Sequence, residues 1–445
     1  MCSWLITLSL QPSLLFSESS SSSSLVSTMS CSSRLKTSLG MRSDLSVHEV
    51  LNNNDAMCEV LLLLPPETIY KLILVSKRWL QIISSPYFRH TYLTKWKPSF
   101  QLIGFFVGSS MYLGKRLNGR RPRAEPSLPL LSTSSLGDEI ESSGILKKLG
   151  YYIDSSNGLL LCGRHPKAYY LWDPSTQKQQ QLPRPRVHFE ELSMSLITED
   201  CPDKGLSYKV IRAECVGFTP HSTKVKVETF SSKTTTWSYS ELTCPEPISL
   251  SSWTPGRVIK GVVYWHATGG KIAIYDSNSE EKRINVIKLP KTYDYDEQAL
   301  GETDDGCLQY GWSNKSVMEV WKLEKIDNVL QWNLLFKLNF KAMWRKNPTE
   351  ATRFSTRTKE TQLLAFLNQK SDTVYIRCET QIFIYDRETQ RVEVVQYQGR
   401  KSTFIWEFCK VVPYFRRTWP TSPLFENSAI MIDTPQCNAS SAGSN

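Results

Sequence analysis

No run of about twenty apolar residues occurs in this chain, so nothing in it reads as a membrane span. Its 11 cysteines form no CxxC pair, are odd in number and are irregularly spaced. That pattern excludes both a disulfide framework and a zinc knuckle, and it points to reduced, mostly buried thiols in the cytoplasm or nucleus. Histidine is scarce, at 6 residues, and His48, His90, His165, His188, His221 and His266 show no metal-ligand spacing. Neither a GxGxxG loop nor a Walker sequence is present, and there is no GxSxG elbow. The sequence therefore implies no cofactor, no metal and no catalytic residue, and the chain is read as a non-enzyme.

What is present is aromatic and basic. The 445 residues include 13 Trp and 19 Tyr, a richness that suits strands and protein-gripping surfaces. Lys and Arg exceed Asp and Glu by 53 to 43, a net charge of +10. The basic residues are scattered except for one dense run from Lys115 to Arg123, read as a solvated loop. Basic residues interleave with aromatics near Trp344-Arg345-Lys346 and Phe415-Arg416-Arg417-Thr418-Trp419, which keeps a nucleic-acid partner as a lesser alternative. Met1–Phe16 is fairly apolar and is followed by a serine tract. Lacking a basic flank and a cleavage site, it reads as a disordered leader or, less favoured, a transit peptide.

Composition divides the chain at 1–50, 52–92, 100–415 and 421–445: a Ser-rich leader, a glycine-free helical module, a long series of β-like runs, and a polar tail. In the helical module, Asn54 or Asp55 is expected to cap a helix with an apolar face of Met57, Val60, Leu61 and Leu64. Pro65-Pro66 stops it. A second helix buries Ile69, Leu72 and Ile73, and a third carries Val75, Trp79, Ile82 and Ile83 as one stripe, ending at Ser84-Ser85-Pro86. Three helices over about forty residues hold too little core to bury that apolar surface alone. A partner must cover part of it.

The β-rich part repeats a strand, a turn headed by Asp, and another strand. Strong copies run Tyr169–Thr176, Ile272–Ser279 and Ile382–Thr389; weaker ones run Val225–Tyr239 and Val317–Leu338. Several strands per unit at a period of roughly 45–60 residues mark the blades of a β-propeller. Each heading Asp is expected to accept backbone N–H groups two residues on, with the Tyr or Trp before it packed between blades. These residues hold scaffold and do no chemistry. Five copies are legible, and residues 101–150 are candidates for a sixth.

The segment Glu59-Val60-Leu61-Leu62-Leu63-Leu64-Pro65-Pro66-Glu67-Thr68, with Val75-Ser76-Lys77-Arg78-Trp79 and Ile83-Ser84-Ser85-Pro86-Tyr87-Phe88, closely resembles a plant F-box. The fragments Asn157-Gly158-Leu159-Leu160, Trp172-Asp173-Pro174-Ser175-Thr176 and Gly261-Val262-Val263-Tyr264-Trp265 resemble the F-box-associated, kelch-like region of the same plant proteins. The resemblance implies an α+β chain: a three-helix F-box, then an all-β kelch-like propeller of about six blades. It also implies a substrate receptor of an SCF-type (cullin–RING) ubiquitin ligase. The helices would bind a Skp-family adaptor, and through it a cullin and a RING subunit, while the propeller holds a target protein. Carried over by position, Leu64, Pro65, Leu72, Val75, Trp79, Ile82 and Ile83 would form the adaptor-facing surface or its immediate support. One departure stands out: where F-boxes commonly begin with Leu-Pro and acidic residues, this chain has Asn52-Asn53-Asn54-Asp55. A docking-impaired propeller scaffold without ligase activity is the alternative that follows.

Overall fold

A computed structural model describes residues 52–95, 101–109 and 130–416, apart from short internal stretches at 74, 135–136, 139, 141–143, 165–167, 175–176, 202–204, 217–221, 252–254, 293–296, 355–359, 368–369, 380 and 397–408. The leader, the 115–123 basic run and the tail lie outside the described residues. The chain divides into two compact units between Glu59 and Val60.

Helix α1 spans Asn54–Leu62. Its cap is Asn53, one residue earlier than expected, because the Asn53 Oδ1 accepts the N–H of Asp55 (2.8 Å) and of Ala56 (3.4 Å). Pro65 precedes α2, Pro66–Leu72, and Pro66 occupies its first turn, where a missing donor costs nothing. Helix α3, Lys77–Ser84, starts at Ser76, whose Oγ accepts the Trp79 N–H at 3.2 Å. Val75 thus sits just before the helix rather than on its stripe. A further helix, α4 (Pro86–Lys95), begins at the proline expected only to end α3, and Ser85 accepts the Phe88 N–H at 3.2 Å. The Tyr92 hydroxyl donates to the Leu64 carbonyl at 2.8 Å while its ring stacks on Phe88, tying α4 back to the turn after α1.

Five four-stranded antiparallel sheets follow, each with its strands in chain order from one edge to the other. They are blade one (β3–β6, 151–181), blade two (β7–β10, 192–243), blade three (β11–β14, 257–288), blade four (β15–β18, 297–339) and blade five (β19–β22, 361–394). The three strong and two weak copies are the third and fourth strands of these five blades. Blade six draws on both ends of the β-rich part: β1 (Gln101–Ser109) pairs with β2 (Leu130–Ser132) on one side and with β23 (Cys409–Arg416) on the other. Together these sheets make a six-bladed β-propeller. It closes where the Tyr414 hydroxyl donates to the Gly158 carbonyl of blade one at 2.7 Å.

The core is a set of slabs between adjacent blades. In β4, Leu159 and Leu161 pack toward blade two, while Leu160 and Cys162 pack toward blade six. With both faces covered, the strand reads as an unbroken apolar run rather than an alternation. Trp172 lies in the slab between blades one and six, fully buried beside Phe106 and Tyr414. The slab between one and two contains the buried ion pair of Arg212 and Glu228, with the guanidinium over the rings of Phe189 (5.2 Å), Tyr169 (5.5 Å) and Trp237 (5.6 Å). Asp276 accepts the Asn278 N–H at 2.9 Å, two residues on as expected, whereas Asp386 accepts the Thr389 N–H, three residues on, at 2.8 Å. The N–H and hydroxyl of Thr389 hold the Asp386 carboxyl below its ordinary range.

One segment departs from the β-rich expectation. Residues 340–353 form two helices, α6 (Phe340–Lys346) and α7 (Pro348–Arg353), after an α5 (Ile145–Leu149) that contacts blade one. Asn339 caps α6 by accepting the Ala342 N–H at 2.9 Å, and Phe340, Met343 and Trp344 repeat at helical spacing into the slab between blades four and five. Among the described residues no helix is long and apolar enough to cross a membrane. Five described cysteines are buried and Cys307 is half-buried, all as free thiols.

Candidate functional site

Helices α1 to α4 and the turns between them bury most of their large apolar side chains and leave a smaller group in water. Met57, Leu61, Leu62, Ile69, Leu72, Ile83, Phe88 and Tyr92 are buried. Val60, Leu63, Val75, Leu80 and Tyr87 are exposed, at 45%, 63%, 53%, 42% and 65%. Eleven large apolar side chains are exposed among the described residues, and these five crowd into 28 consecutive positions. Monomer surfaces tolerate single exposed apolar residues, whereas a dense group marks an interaction surface.

The seven residues singled out from sequence divide by depth. Pro65 and Val75 are exposed; Leu64, Trp79 and Ile82 are half-buried; Leu72 and Ile83 are buried, at 6% and 1%. Leu72 and Ile83 therefore belong to the core of the helical module rather than to its surface. Val60 corrects the expected α1 face, because it points outward while Leu62 takes its place inside. Leu63, Leu80 and Tyr87 were not singled out although they are among the most exposed. The helical stripe in a sequence marks the face a helix buries against its own module. Leu63 and Leu80 fall off that stripe and stand exposed.

The unusual start is structurally occupied. Asn53 supplies the α1 cap that a Leu-Pro start does not provide by side chain. Of the aromatics in the two basic–aromatic stretches, Trp344 and Phe415 are buried, at 4% and 7%, and the Trp344 indole N–H donates to Thr361 at 2.9 Å. They have no free face for a base to stack on, and Trp419 lies outside the described residues. His266 is half-buried on β12 (Val262–Ala267) and lines the cavity where the blades meet. Among the described residues no group of three His, Cys, Asp or Glu is placed to hold a metal ion.

Comparison with known proteins agrees with this geometry. A family model for the F-box domain matches residues 53–91. A second, described as F-box protein At3g26010-like, beta-propeller, matches residues 132–398. F-box protein At5g03970 of Arabidopsis thaliana is 84% identical over 418 residues, covering 94% of this chain and all of that protein. F-box protein At5g07610 of the same plant is 23% identical over 320 residues, covering 66% of this chain and 72% of its own length. Putative F-box/kelch-repeat protein At1g15680, also from Arabidopsis thaliana, is 22% identical over 300 residues, 64% of this chain and 72% of that one. The chain belongs to the F-box proteins whose F-box is followed by an F-box-associated β-propeller.

Proposed function

We propose that this protein is a substrate receptor of an SCF-type (cullin–RING) ubiquitin ligase, working in the cytoplasm or nucleus. The helices dock on a Skp-family adaptor, which joins them to the cullin and RING subunits, and the propeller holds the target protein. The chain contributes position rather than chemistry, raising the effective concentration of target lysine beside the loaded thioester.

The observation that carries this reading is the group of exposed apolar side chains at Val60, Leu63, Val75, Leu80 and Tyr87 within the F-box match. Leu72 and Ile83 set the helices beneath them, and Leu64, Pro65, Trp79 and Ile82 complete the proposed contact surface. The test is co-purification of the full chain with a Skp-family adaptor. Wild type is expected to retain the adaptor, and Leu63→Asp with Leu80→Asp to lose it while keeping its fold. Unchanged capture by that variant, and by Val75→Ala with Trp79→Ala, removes the interface assignment. A wild-type chain that captures no adaptor while binding a target through its propeller establishes the scaffold alternative instead.

A further inference from the structure

The innermost strands of the six blades, β3, β7, β11, β15, β19 and β23, enclose a cavity of about 390 Å³ that the adaptor reading does not use. That volume falls within the range of small-molecule sites. Its wall is two-sided. Blades one to three supply polar and charged groups, among them Asp154, Ser156, Asn157, Thr198, Arg257 and Lys260. Blades four to six supply the apolar part of the wall, Ala299, Leu300, Leu364, Ala365, Val412 and Pro413, together with Glu297, Gln298, Glu302 and Arg377.

The polar wall is built by turn chemistry. Asn157-Gly158 and Lys260-Gly261 both take two successive positive φ values, 48° and 81°, then 49° and 82°. These are the tight hairpin turns that bring backbone and side chain to the rim together. At the rim, the Asn157 amide donates to the Thr198 hydroxyl at 2.7 Å, and Ser156 shares a hydrogen bond with the same hydroxyl at 2.7 Å. Lys260 is exposed there, and its ammonium reaches the Asp305 carbonyl at 3.1 Å. Deeper in, Asp154 is committed to the frame: its two oxygens accept the N–H groups of Ser155 (2.8 Å) and Leu196 (2.7 Å), linking blades one and two. Arg257 faces the same space, paired through its Nη2 with the Glu302 carboxylate at 3.6 Å. Burial pushes the Asp154 carboxyl up to about 7 and holds the Glu302 carboxyl above its ordinary range. The wall as a whole carries three cations, Arg257, Lys260 and Arg377, and three acids, Asp154, Glu297 and Glu302, of which buried Asp154 gives up its charge most readily.

From this juxtaposition we infer that the central cavity is a binding site for a carboxylate carried on an apolar stem. The head group lies between Arg257 and Lys260, and the stem lies against Ala299, Leu364 and Val412. The planar fork of a guanidinium suits a carboxylate, and a monoanion is compatible with the nearby acids where a dianion is repelled. Two sources present this chemistry: a free amphiphilic acid, or the C-terminal residue of a peptide. The site is independent of the F-box surface, so its failure leaves the adaptor reading intact.

The test is isothermal titration of the full chain in two arms. One uses phenylbutyrate against phenylbutyramide; the other uses an acetylated peptide ending in a free leucine carboxylate against its C-terminal amide. Saturable one-to-one binding is expected in at least one arm, with the matching amide weaker by about tenfold or more. The arm that binds identifies the source. Arg257→Gln is expected to weaken that ligand by about tenfold. Lys260→Gln, at an exposed rim position where folding is not at stake, is expected to weaken it to a lesser degree. Absence of saturable binding in both arms overturns the inference. So does equal affinity of acid and amide, or unchanged affinity in Lys260→Gln together with a folded Arg257→Gln.

Discussion

The helices of the F-box and the blades of the propeller solve the same problem in opposite ways. Both carry dense apolar sequence. In the propeller, each blade is the cover of the next, and the ring closes through β23, so Trp172, Trp265 and Trp312 are at most 2% exposed. In the helices, Leu63, Val75, Leu80 and Tyr87 are all more than 40% exposed. The helical module is too small to enclose its own apolar residues, whereas a closed ring of sheets leaves few faces uncovered. On the propeller, an exposed apolar group recurs at the β17–β18 hairpin, with Ile326, Val329, Leu330 and Leu334. The contrast teaches that apolar density in a sequence does not separate core from docking surface; the number of neighbours able to cover it does.

That contrast is broken most forcefully inside a propeller slab. Glu228→Gln leaves Arg212 buried at 1% exposure without its counter-charge, and stability is expected to fall by about 3–5 kcal/mol in urea unfolding. An unchanged unfolding midpoint means that the slab between blades one and two does not hold the ring together.

A pH series sharpens the same point in the inner ring. The Asp154 carboxyl is raised from 3.8 to about 7 by burial, so between those values the folded chain binds the proton more tightly than the unfolded chain. Its contribution to stability is therefore present in full at low pH and is lost as pH rises toward 7. Asp154→Asn is expected to flatten that part of the melting-temperature profile, and an unaltered slope removes Asp154 as its cause.

At the closure, Tyr414→Phe deletes the hydroxyl that reaches Gly158 and is expected to cost about 1 kcal/mol. The smallest effect belongs to the helices. Leu63→Asp with Leu80→Asp is expected to change stability by no more than about 0.5 kcal/mol, because both side chains already stand in water, while adaptor capture is lost. A large loss of stability from that pair makes these residues core, and the contrast between the two regions disappears.

Much of the architecture was legible because blades repeat. Asp276 heads its turn with the hydrogen bond its chemistry predicts, and the strong copies at Tyr169–Thr176, Ile272–Ser279 and Ile382–Thr389 fall where the third strands of blades one, three and five run into their turns. The helices were legible from Pro65-Pro66 and the stripe of Trp79, Ile82 and Ile83, while the cap at Ser76 was not singled out. Less visible was α6, whose Phe340, Met343 and Trp344 sit among β-like runs; Trp344-Arg345-Lys346 reads as a basic–aromatic stretch, yet Trp344 is buried. Val60 and Leu62 exchanged places for a similar reason: adjacent aliphatic residues in Leu61–Leu64 give periodicity nothing to choose between.

Local chemistry in the chain determined where turns, caps and strands fall, since a carboxylate, a proline ring or a glycine constrains only the few residues beside it. Tertiary structure decided what no local pattern carries. It paired β1 with β23 across some three hundred residues, exposed Leu63 and Leu80, and brought Arg257, Lys260 and the wall at Ala299 and Val412 around one cavity. Those outcomes depend on which blades become neighbours when the ring closes, a relation between distant segments that no window of sequence contains.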